Sequence, residues 1–149
     1  MRARNQIIIA GLAACLFLTS TAQAEVVPTP SDEATIDKIV DATTAQLKAG
    51  KSRAAVDAFF NGNALMASKV SDLAMLSAQI DAAAVVVGPI SNCDLVEQHN
   101  RGMLVVQRLY HCQHTNSVTR WLVAFVKTTK GWQVQSIFFD DKVTDGLSE

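Results

Sequence analysis

Residues 90–139 read ISNCDLVEQHNRGMLVVQRLYHCQHTNSVTRWLVAFVKTTKGWQVQSIFF, and they carry the strongest indication of the fold. It contains four segments rich in β-branched and aromatic residues, at 90–98, 103–114, 118–128 and 132–139. Short polar runs that contain Asn, Ser, Thr or Gly separate these segments at hairpin spacing. We therefore predict four antiparallel strands that follow one another as a meander.

The residues before this stretch predict helices. Ser31 is the expected N-cap of the first helix, which Gly50 ends, and Ser52 is the expected cap of a second, short one. The apolar face of the first helix recurs at helical spacing at Ile36, Ile39, Val40, Thr43 and Leu47, and that of the second consists of Ala55, Val56, Phe59 and Phe60. The run Asn61-Gly62-Asn63 breaks the second helix.

A third, longer helix is predicted over residues 65–84, and Ser71-Asp72 could restart it with a small bend. Its apolar stripe is Met66, Val70, Leu73, Ser77, Ile80, Ala84 and Val87. A helix lying on the sheet accounts for this stripe, and a helical seam with a partner is the alternative. Helices first and antiparallel strands second predict an α+β fold, with three helices on one face of a curved four-stranded sheet.

The first 24 residues have the three parts of a secretory signal. Arg2 and Arg4 give a positive start, residues 7–18 are apolar, and Ala22-Gln23-Ala24 is a small-x-small cleavage site. Cleavage after Ala24 predicts a periplasmic or secreted protein. The alternative is a lipoprotein box that would leave the chain acylated at Cys15 and tethered to a membrane.

Cleavage at this site leaves 125 of the 149 residues, enough for one domain. We predict a linker at 25–31, a single domain at 32–142 and a tail at 143–149. Loss of the two signal arginines leaves 11 basic residues against 14 acidic ones, a net charge of −3. This balance argues against nucleic acid as a partner. No later apolar run is long enough for an integral membrane span.

Cleavage also leaves two cysteines, Cys93 and Cys112. An even pair in an exported protein favours a disulfide, and two buried thiols are the alternative. A hairpin turn near Arg101 brings the pair nearly opposite each other, and a bulge or a slightly longer turn would complete the register. The cysteines and the three histidines lack compact zinc spacing, so we predict neither a metal nor another cofactor.

The order of these elements resembles the cone-shaped superfamily of nuclear transport factor two-like and ketosteroid-isomerase-like proteins, in particular its small exported members. The motifs that carry the resemblance are Gly88-Pro89-Ile90, Asp94-Leu95-Val96, Tyr110, Arg120-Trp121, Gly131-Trp132-Gln133-Val134 and Phe138-Phe139-Asp140-Asp141. The resemblance covers about residues 32–142 and departs at Phe125-Val126, where the family often has Phe-Tyr. It implies a cystatin-like meander around a cone. It implies no activity, because this superfold hosts both enzymes and binding domains.

Three residues are weak candidates for catalysis: Asp140, Tyr110 and His111. Acid–base work needs a carboxylate or imidazole with a shifted pKa in a dry pocket. Asp140 and its neighbour Asp141 point to opposite faces of a strand, so they cannot form a tight dyad, and a solvated strand end is the simpler interpretation. His99 and His114 flank turns and are expected to be exposed.

The candidate ligand-binding residues are Arg108, Tyr110, Trp121 and Phe138. Arg108 and Tyr110 share one strand face with Cys112, and together they would hold an anion or a carbonyl if that face lines the cone. If the strand lies near an edge, both are simply solvated. The aromatic residues are core or pocket lining in this interpretation.

No nucleophile or phosphate-binding motif occurs in the chain. The leading hypothesis is an exported non-catalytic binding or accessory domain, whose partner is a small apolar ligand or an envelope protein. One alternative is a small cofactor-free isomerase or lyase with acid–base residues in the cone. Another is an envelope protein–protein interaction module that forms a homodimer through the sheet.

Overall fold

The computed structural model describes residues 28–144, and its elements follow the predicted order. The helices are α1 (Pro30–Lys48), α2 (Ser52–Phe59), α3 (Ala64–Ala67) and α4 (Val70–Val87), and the strands are β1 (Ile90–Arg101), β2 (Val105–His114), β3 (Val118–Thr128) and β4 (Gly131–Asp140). The strands form one antiparallel sheet in the order β1-β2-β3-β4. The predicted α+β class and meander are confirmed. The predicted signal, its cleavage site and Cys15 lie outside the described residues.

The N-cap of α1 is Thr29, so the prediction of Ser31 was wrong. Thr29 Oγ1 accepts a hydrogen bond from the Asp32 N–H at 3.2 Å, and the Asp32 carboxylate accepts one from the Thr29 N–H at 3.2 Å. This reciprocal pair is a capping box. Pro30 then occupies the first helical position, where its missing N–H costs nothing. The helix therefore begins inside the segment predicted as a linker.

The predicted third helix is two helices, which makes four among the described residues where three were expected. α3 ends at Ala67 and α4 begins at Val70. In the break, Ser68 Oγ donates to the Leu65 carbonyl at 2.7 Å, a local bond that competes with helix continuation.

The predicted cap of α2 was also wrong. Ser52 is the first residue of α2, and Lys51 precedes it without a side-chain cap.

The core lies between the helices and the inner face of the sheet. It includes Ile36 and Leu47 of α1, Val56 and Phe59 of α2, and Val106, Val123, Phe125 and Val134 of the strands. The predicted apolar faces of α1 and α2 are thus confirmed. α4 packs chiefly on α2, and its Leu76 and Ile80 also lie beside Trp121 and Ile137 of the sheet.

Much of the apolar surface of α4 remains exposed. Its buried residues are Leu73, Ser77 and Ile80, whereas Val85 and Val86 are 87% and 75% exposed. Of the described helices, α4 is the one with the length and composition of a candidate membrane span. A helix that packs on a soluble core passes the same test of length and composition, so the absence of a span in the mature chain stays a prediction.

The Cys93–Cys112 disulfide joins β1 to β2, which confirms the predicted pairing. The two cysteines are direct cross-strand partners. The turn lies later than predicted, because β1 continues to Arg101 and β2 starts at Val105. A register shift between Leu95 and Glu97 compensates for this difference. The register is therefore completed by a later turn together with a bulge, the two adjustments that the sequence left open.

Candidate functional site

A small opening with a cavity volume of about 30 Å³ lies between α1 and the inner face of the sheet. We call it the cone opening. Its walls include Val40, Thr43 and Thr44 of α1, Tyr110 and Trp121 of the sheet, and the Cys93–Cys112 disulfide. Among residues 28–144, no carboxylate, imidazole or amine lines it. The polar side chains in its walls are hydroxyls, and that of Thr43 already donates to the Ile39 carbonyl at 2.9 Å.

The sheet register decides which predicted site residues face the cone. Directly paired residues share a face, and Cys93, Cys112, Tyr110 and Trp121 all lie on the inner one. Arg108 lies on the same face as Tyr110, two residues away. His111, Phe138 and Asp140 lie on the outer face, because each occupies the opposite register position. The structure therefore divides the candidates into an inner and an outer set.

Arg108 binds to residues of its own chain. It forms an ion pair with Glu33, its Nη1 donates to Asp37 at 2.6 Å, and its Nε donates to Gln98 Oε1 at 2.6 Å. Its side chain is 3% exposed and does not line the cone opening. We call this group of four side chains the Arg108 cluster. The cluster attaches α1 to β2 and so holds the helix over the cone.

A second attachment fixes the N-terminal end of α1. The Asp32 carboxylate accepts hydrogen bonds from Lys127 Nζ at 2.8 Å and from Trp132 Nε1 at 2.8 Å. These donors, with Thr29, lower the pKa of Asp32 well below its usual range, which keeps it ionised. One carboxylate therefore caps α1 and binds it to the β3–β4 hairpin. The sequence did not indicate either of these distant partners of Asp32.

Tyr110 is the one phenol in the chain, and it lines the cone opening. It is 6% exposed, and its hydroxyl accepts a weak hydrogen bond from Arg108 Nη1 at 3.3 Å. Burial raises the pKa of Tyr110, and the nearby guanidinium opposes this rise only in part. The phenol is therefore neutral at physiological pH and keeps its proton to donate.

We expect the stability contributed by Tyr110 to be lost in alkali. Its folded-state pKa lies above the ordinary value of 10.0, so the contribution is full below pH 10 and falls as the pH rises through the folded pKa. Because Tyr110 is the single tyrosine, the ultraviolet absorbance of its phenolate measures it directly. Folded protein should ionise at higher pH than the chain in urea, and Tyr110→Phe should remove the corresponding stability change. Coincident titration curves would contradict this.

Trp121 is held by a chain of three hydrogen bonds. Its Nε1 donates to Thr119 Oγ1 at 2.7 Å, and Thr119 Oγ1 lies 2.8 Å from His114 Nε2. His114 Nδ1 lies 2.8 Å from the Gly88 carbonyl. Since a carbonyl only accepts, His114 carries its proton on Nδ1 here, and Nε2 accepts from the Thr119 hydroxyl. The indole also stacks on Phe139, with ring centroids 4.8 Å apart.

His114 is 8% exposed, so the expectation of an exposed histidine was wrong. It lies at a turn, but α4 ends against it. Gly88 ends α4 with φ at 89°, and a Cβ there would lie 2.7 Å from Thr115 Cβ. Only glycine fits this close approach, which brings the Gly88 carbonyl to His114. No sequence spacing signals this contact, because it depends on how the helix end meets the sheet.

The outer set of candidate residues lies on the opposite face of the sheet from the inner set. Asp140 accepts hydrogen bonds from Arg120 at 3.0 and 2.7 Å, and this pairing lowers the pKa of Asp140. His111 lies beside Arg120 in the register, and its Nε2 is buried without a hydrogen-bond partner among residues 28–144. Phe138 is 55% exposed. The interaction-module hypothesis rests on this outer face, whereas the cone opening contains only Tyr110 of the three catalytic candidates.

Metal ligands are not clustered in the described part of the chain. No group of three or more His, Cys, Asp or Glu side chains within residues 28–144 could hold an ion. Both cysteines there are in the disulfide. The chemistry that the inner residues offer is therefore apolar contact, aromatic contact and hydrogen bonding from hydroxyl groups.

Comparison with solved structures defines the class of the fold. A domain of unknown function with a cystatin-like fold from Nostoc punctiforme is similar with a TM-score of 0.55 and 14% identity, over 76% of this chain and 79% of that one. A protein from Campylobacter jejuni named as an NTF2-like transpeptidase is similar with a TM-score of 0.51 and 15% identity, over 66% of this chain and 95% of that one. The chain thus has the cone-shaped α+β fold of cystatin-like and NTF2-like proteins.

The predicted resemblance is confirmed at the level of the fold. No family model and no curated protein sequence matches the chain. At 14–15% sequence identity, the likeness to these two structures shows a shared fold and does not show a shared activity. Function has to be argued from the residues of the cone.

Proposed function

We propose that the chain is an exported, non-catalytic binding domain that takes a small apolar ligand into the cone opening. The observation that carries this proposal is the composition of the walls, which are aliphatic, aromatic and sulfur groups with a few hydroxyls. Ligand sites in proteins are concave and mostly apolar, with a small number of polar groups that fix orientation. Tyr110 and Thr44 would supply that orientation here.

The proposal of export is supported by two independent features. The first 24 residues have the composition of a secretory signal. The disulfide between β1 and β2 is typical of proteins in an oxidising compartment such as the periplasm. A lipoprotein anchored at Cys15 would share the same compartment, so the ligand proposal holds for either form.

The placement of the candidate acids and bases favours binding over catalysis. Asp140 is paired with Arg120 on the outer face, and His111 lies on that face too. An isomerase or lyase would need one of them beside Tyr110 in the cone. One structural neighbour is named as a transpeptidase, and transpeptidation needs a nucleophile such as a thiol. Cys93 and Cys112 cannot act as that nucleophile, because they are bonded to each other. The described cysteines therefore offer no free thiol for that chemistry.

The first experiment is native mass spectrometry on protein recovered gently from the compartment in which it accumulates. A small molecule that leaves on denaturation would support the proposal and reveal its own chemistry. The same ligand, or the hydrophobic probe anilinonaphthalene sulfonate if the protein is recovered empty, then serves for the variant test.

We expect Thr44→Trp to lower the affinity for the ligand at least about tenfold, which corresponds to about 1.4 kcal/mol. Thr44 is partly exposed and lines the opening, so a large side chain there blocks the cone. Ala45→Trp is the matched control, because Ala45 is the next residue, is exposed and does not line the opening. Titration calorimetry of both variants measures the difference. Equal affinities for the two variants would overturn the cone as the ligand site.

A further inference from the structure

Two hairpin turns of the sheet lie side by side at the end of the molecule where α1 begins. In the β1–β2 turn, the Leu104 carbonyl accepts a hydrogen bond at 2.8 Å from the N–H of Lys127, just before the β3–β4 turn. The Lys127 ammonium in turn pairs with Asp32 in the first turn of α1. We call residues 101–104 and 127–131 the hairpin end.

The β1–β2 turn of the hairpin end exposes two large apolar side chains. Met103 and Leu104 are 68% and 60% exposed, and neither packs against the core formed within residues 28–144. Turns usually consist of Gly, Pro, Asn, Asp or Ser. Gly102, with φ at 68°, supplies the turn geometry here, so the two apolar residues after it are not needed for the turn. Adjacent exposed apolar side chains indicate a contact surface for a protein or a membrane.

The charge around this apolar pair is positive. The hairpin end contains three exposed basic side chains, Arg101, Lys127 and Lys130, and no acidic one. Lys127 is paired with Asp32, whereas Arg101 and Lys130 form no ion pair within the described residues. The surface is therefore complementary to a negatively charged partner, although the predicted mature chain as a whole is acidic.

The chain also enters the domain at this end. The described residues start at Pro28, next to the N-cap Thr29 of α1. Residues 1–27 therefore join the domain beside the two turns, and they include the apolar run 7–18 of the proposed export signal. A membrane receives such a run during export. The hairpin end is thus the part of the domain that follows the membrane-directed segment most closely along the chain.

The size of the apolar pair favours a lipid surface over a protein. A standard protein–protein interface buries about 800 Å² on each partner, far more than two side chains cover. Interfacial membrane binding needs less apolar area, because Lys and Arg add attraction to anionic headgroups. The hairpin end has both of these elements at one place.

We infer that the hairpin end is a docking surface for a bilayer that contains anionic phospholipids. Met103 and Leu104 would enter the boundary between headgroups and acyl chains, and Arg101 and Lys130 would pair with lipid phosphates. Such docking is peripheral and requires no membrane span. The inference goes beyond the proposed ligand of the cone and does not depend on it.

The test is co-sedimentation of the protein with vesicles, using the chain that starts at Glu25 so that the signal does not contribute. One set of vesicles contains equal parts of phosphatidylglycerol and phosphatidylcholine, and the other contains phosphatidylcholine alone. We expect at least about tenfold stronger partitioning into the anionic vesicles at about 0.15 M salt, where charges more than about 8 Å apart are largely screened and acidic residues elsewhere repel little. About 1 M salt should remove this preference.

The apolar part of the surface is tested by Met103→Ser combined with Leu104→Ser. This variant should partition into the anionic vesicles at least about tenfold more weakly, because apolar burial in the bilayer is lost. Val85→Ser with Val86→Ser is the matched control and should bind like the wild type. It also removes two exposed apolar side chains, but at the opposite end of the sheet, where α4 ends beside the β2–β3 turn.

The basic part is tested by Arg101→Gln combined with Lys130→Gln. This variant should lose the preference for anionic over neutral vesicles. Lys48→Gln with Lys51→Gln is its control, because these lysines are also exposed but lie where α1 ends. All four variants change exposed residues, and unchanged thermal unfolding would confirm their fold.

Several results would overturn the inference. Equal partitioning of the wild type into both kinds of vesicle would do so, and so would a loss of binding in the Val85/Val86 variant with normal binding of the Met103/Leu104 variant. No binding to any vesicle would also overturn it and leave a protein as the partner of this surface. None of these results bears on the cone, which is tested with a soluble ligand.

Discussion

Replacing Cys93 and Cys112 together by alanine is expected to lower the free energy of unfolding by about 3 kcal/mol, and by no more than about 5. The disulfide closes a loop with a sequence separation of 19, and without it the unfolded chain gains the freedom of that loop. The bond also joins β1, an edge strand, to its one neighbour in the sheet. Urea unfolding of oxidised protein and of the variant measures the difference.

The reduced wild-type protein is the matched control for this variant. It should lose the same stability on addition of a reductant, whereas the variant should not respond. In unreduced, unfolded protein that starts at Glu25, thiol titration should find no free thiol. A loss below about 1 kcal/mol would contradict the loop argument, since native disulfides in small secreted domains contribute about 2–5 kcal/mol.

Neutralising both acidic partners of Arg108, with Glu33→Gln and Asp37→Asn, is expected to lower the free energy of unfolding by about 3 kcal/mol. The Arg108 side chain is 3% exposed, so the double variant leaves a buried guanidinium without a counter-charge. The carboxylates are 27% and 59% exposed. Their own hydration offsets part of the loss, so we expect the lower end of the range for a broken buried pair.

Two further variants make this prediction specific. Adding Arg108→Met to the double variant should restore at least half of the lost stability, because an apolar side chain of similar length needs no counter-charge. Asp41→Asn lies on the same helix at an exposed position and should change stability by less than about 0.5 kcal/mol. If the double variant is as stable as the wild type, the Arg108 cluster does not hold α1 against β2.

The Arg108 cluster also shows which part of the site could not be predicted from the sequence. The alternation of side chains along a strand predicted that Arg108, Tyr110 and Cys112 share one face, and the structure confirms this. It did not reveal that Glu33 and Asp37, more than seventy residues earlier, would occupy the guanidinium. Arg108, which the sequence suggested as a ligand-binding residue, therefore forms its ion pairs within its own chain. Such pairing depends on which face of α1 meets the sheet, and periodicity alone does not set that.

The missed helix boundaries have a local physical cause. The two prolines before Ser31 led to the prediction of a linker. Proline is, however, favoured at the first position of a helix, and Pro30 occupies that position in α1. The break between α3 and α4 carried no Gly or Pro, so the apolar stripe predicted one continuous helix. The stripe describes which side chains are apolar and not which partner they meet. For that reason the packing of α4 on α2 was not foreseen either.

The α+β class, the four-stranded meander and the Cys93–Cys112 pairing could all be predicted from the sequence. These depend on local signals, namely β-rich segments, turn residues and the alternation of side chains along a strand. The distant pairings and the lining of the cavities were visible only in the three-dimensional structure. The hydrogen bonds of Arg108 with Glu33 and Asp37, and that of Trp132 with Asp32, join parts of the chain that lie more than seventy residues apart. Such contacts arise from the packing of whole elements, which no short run of residues encodes.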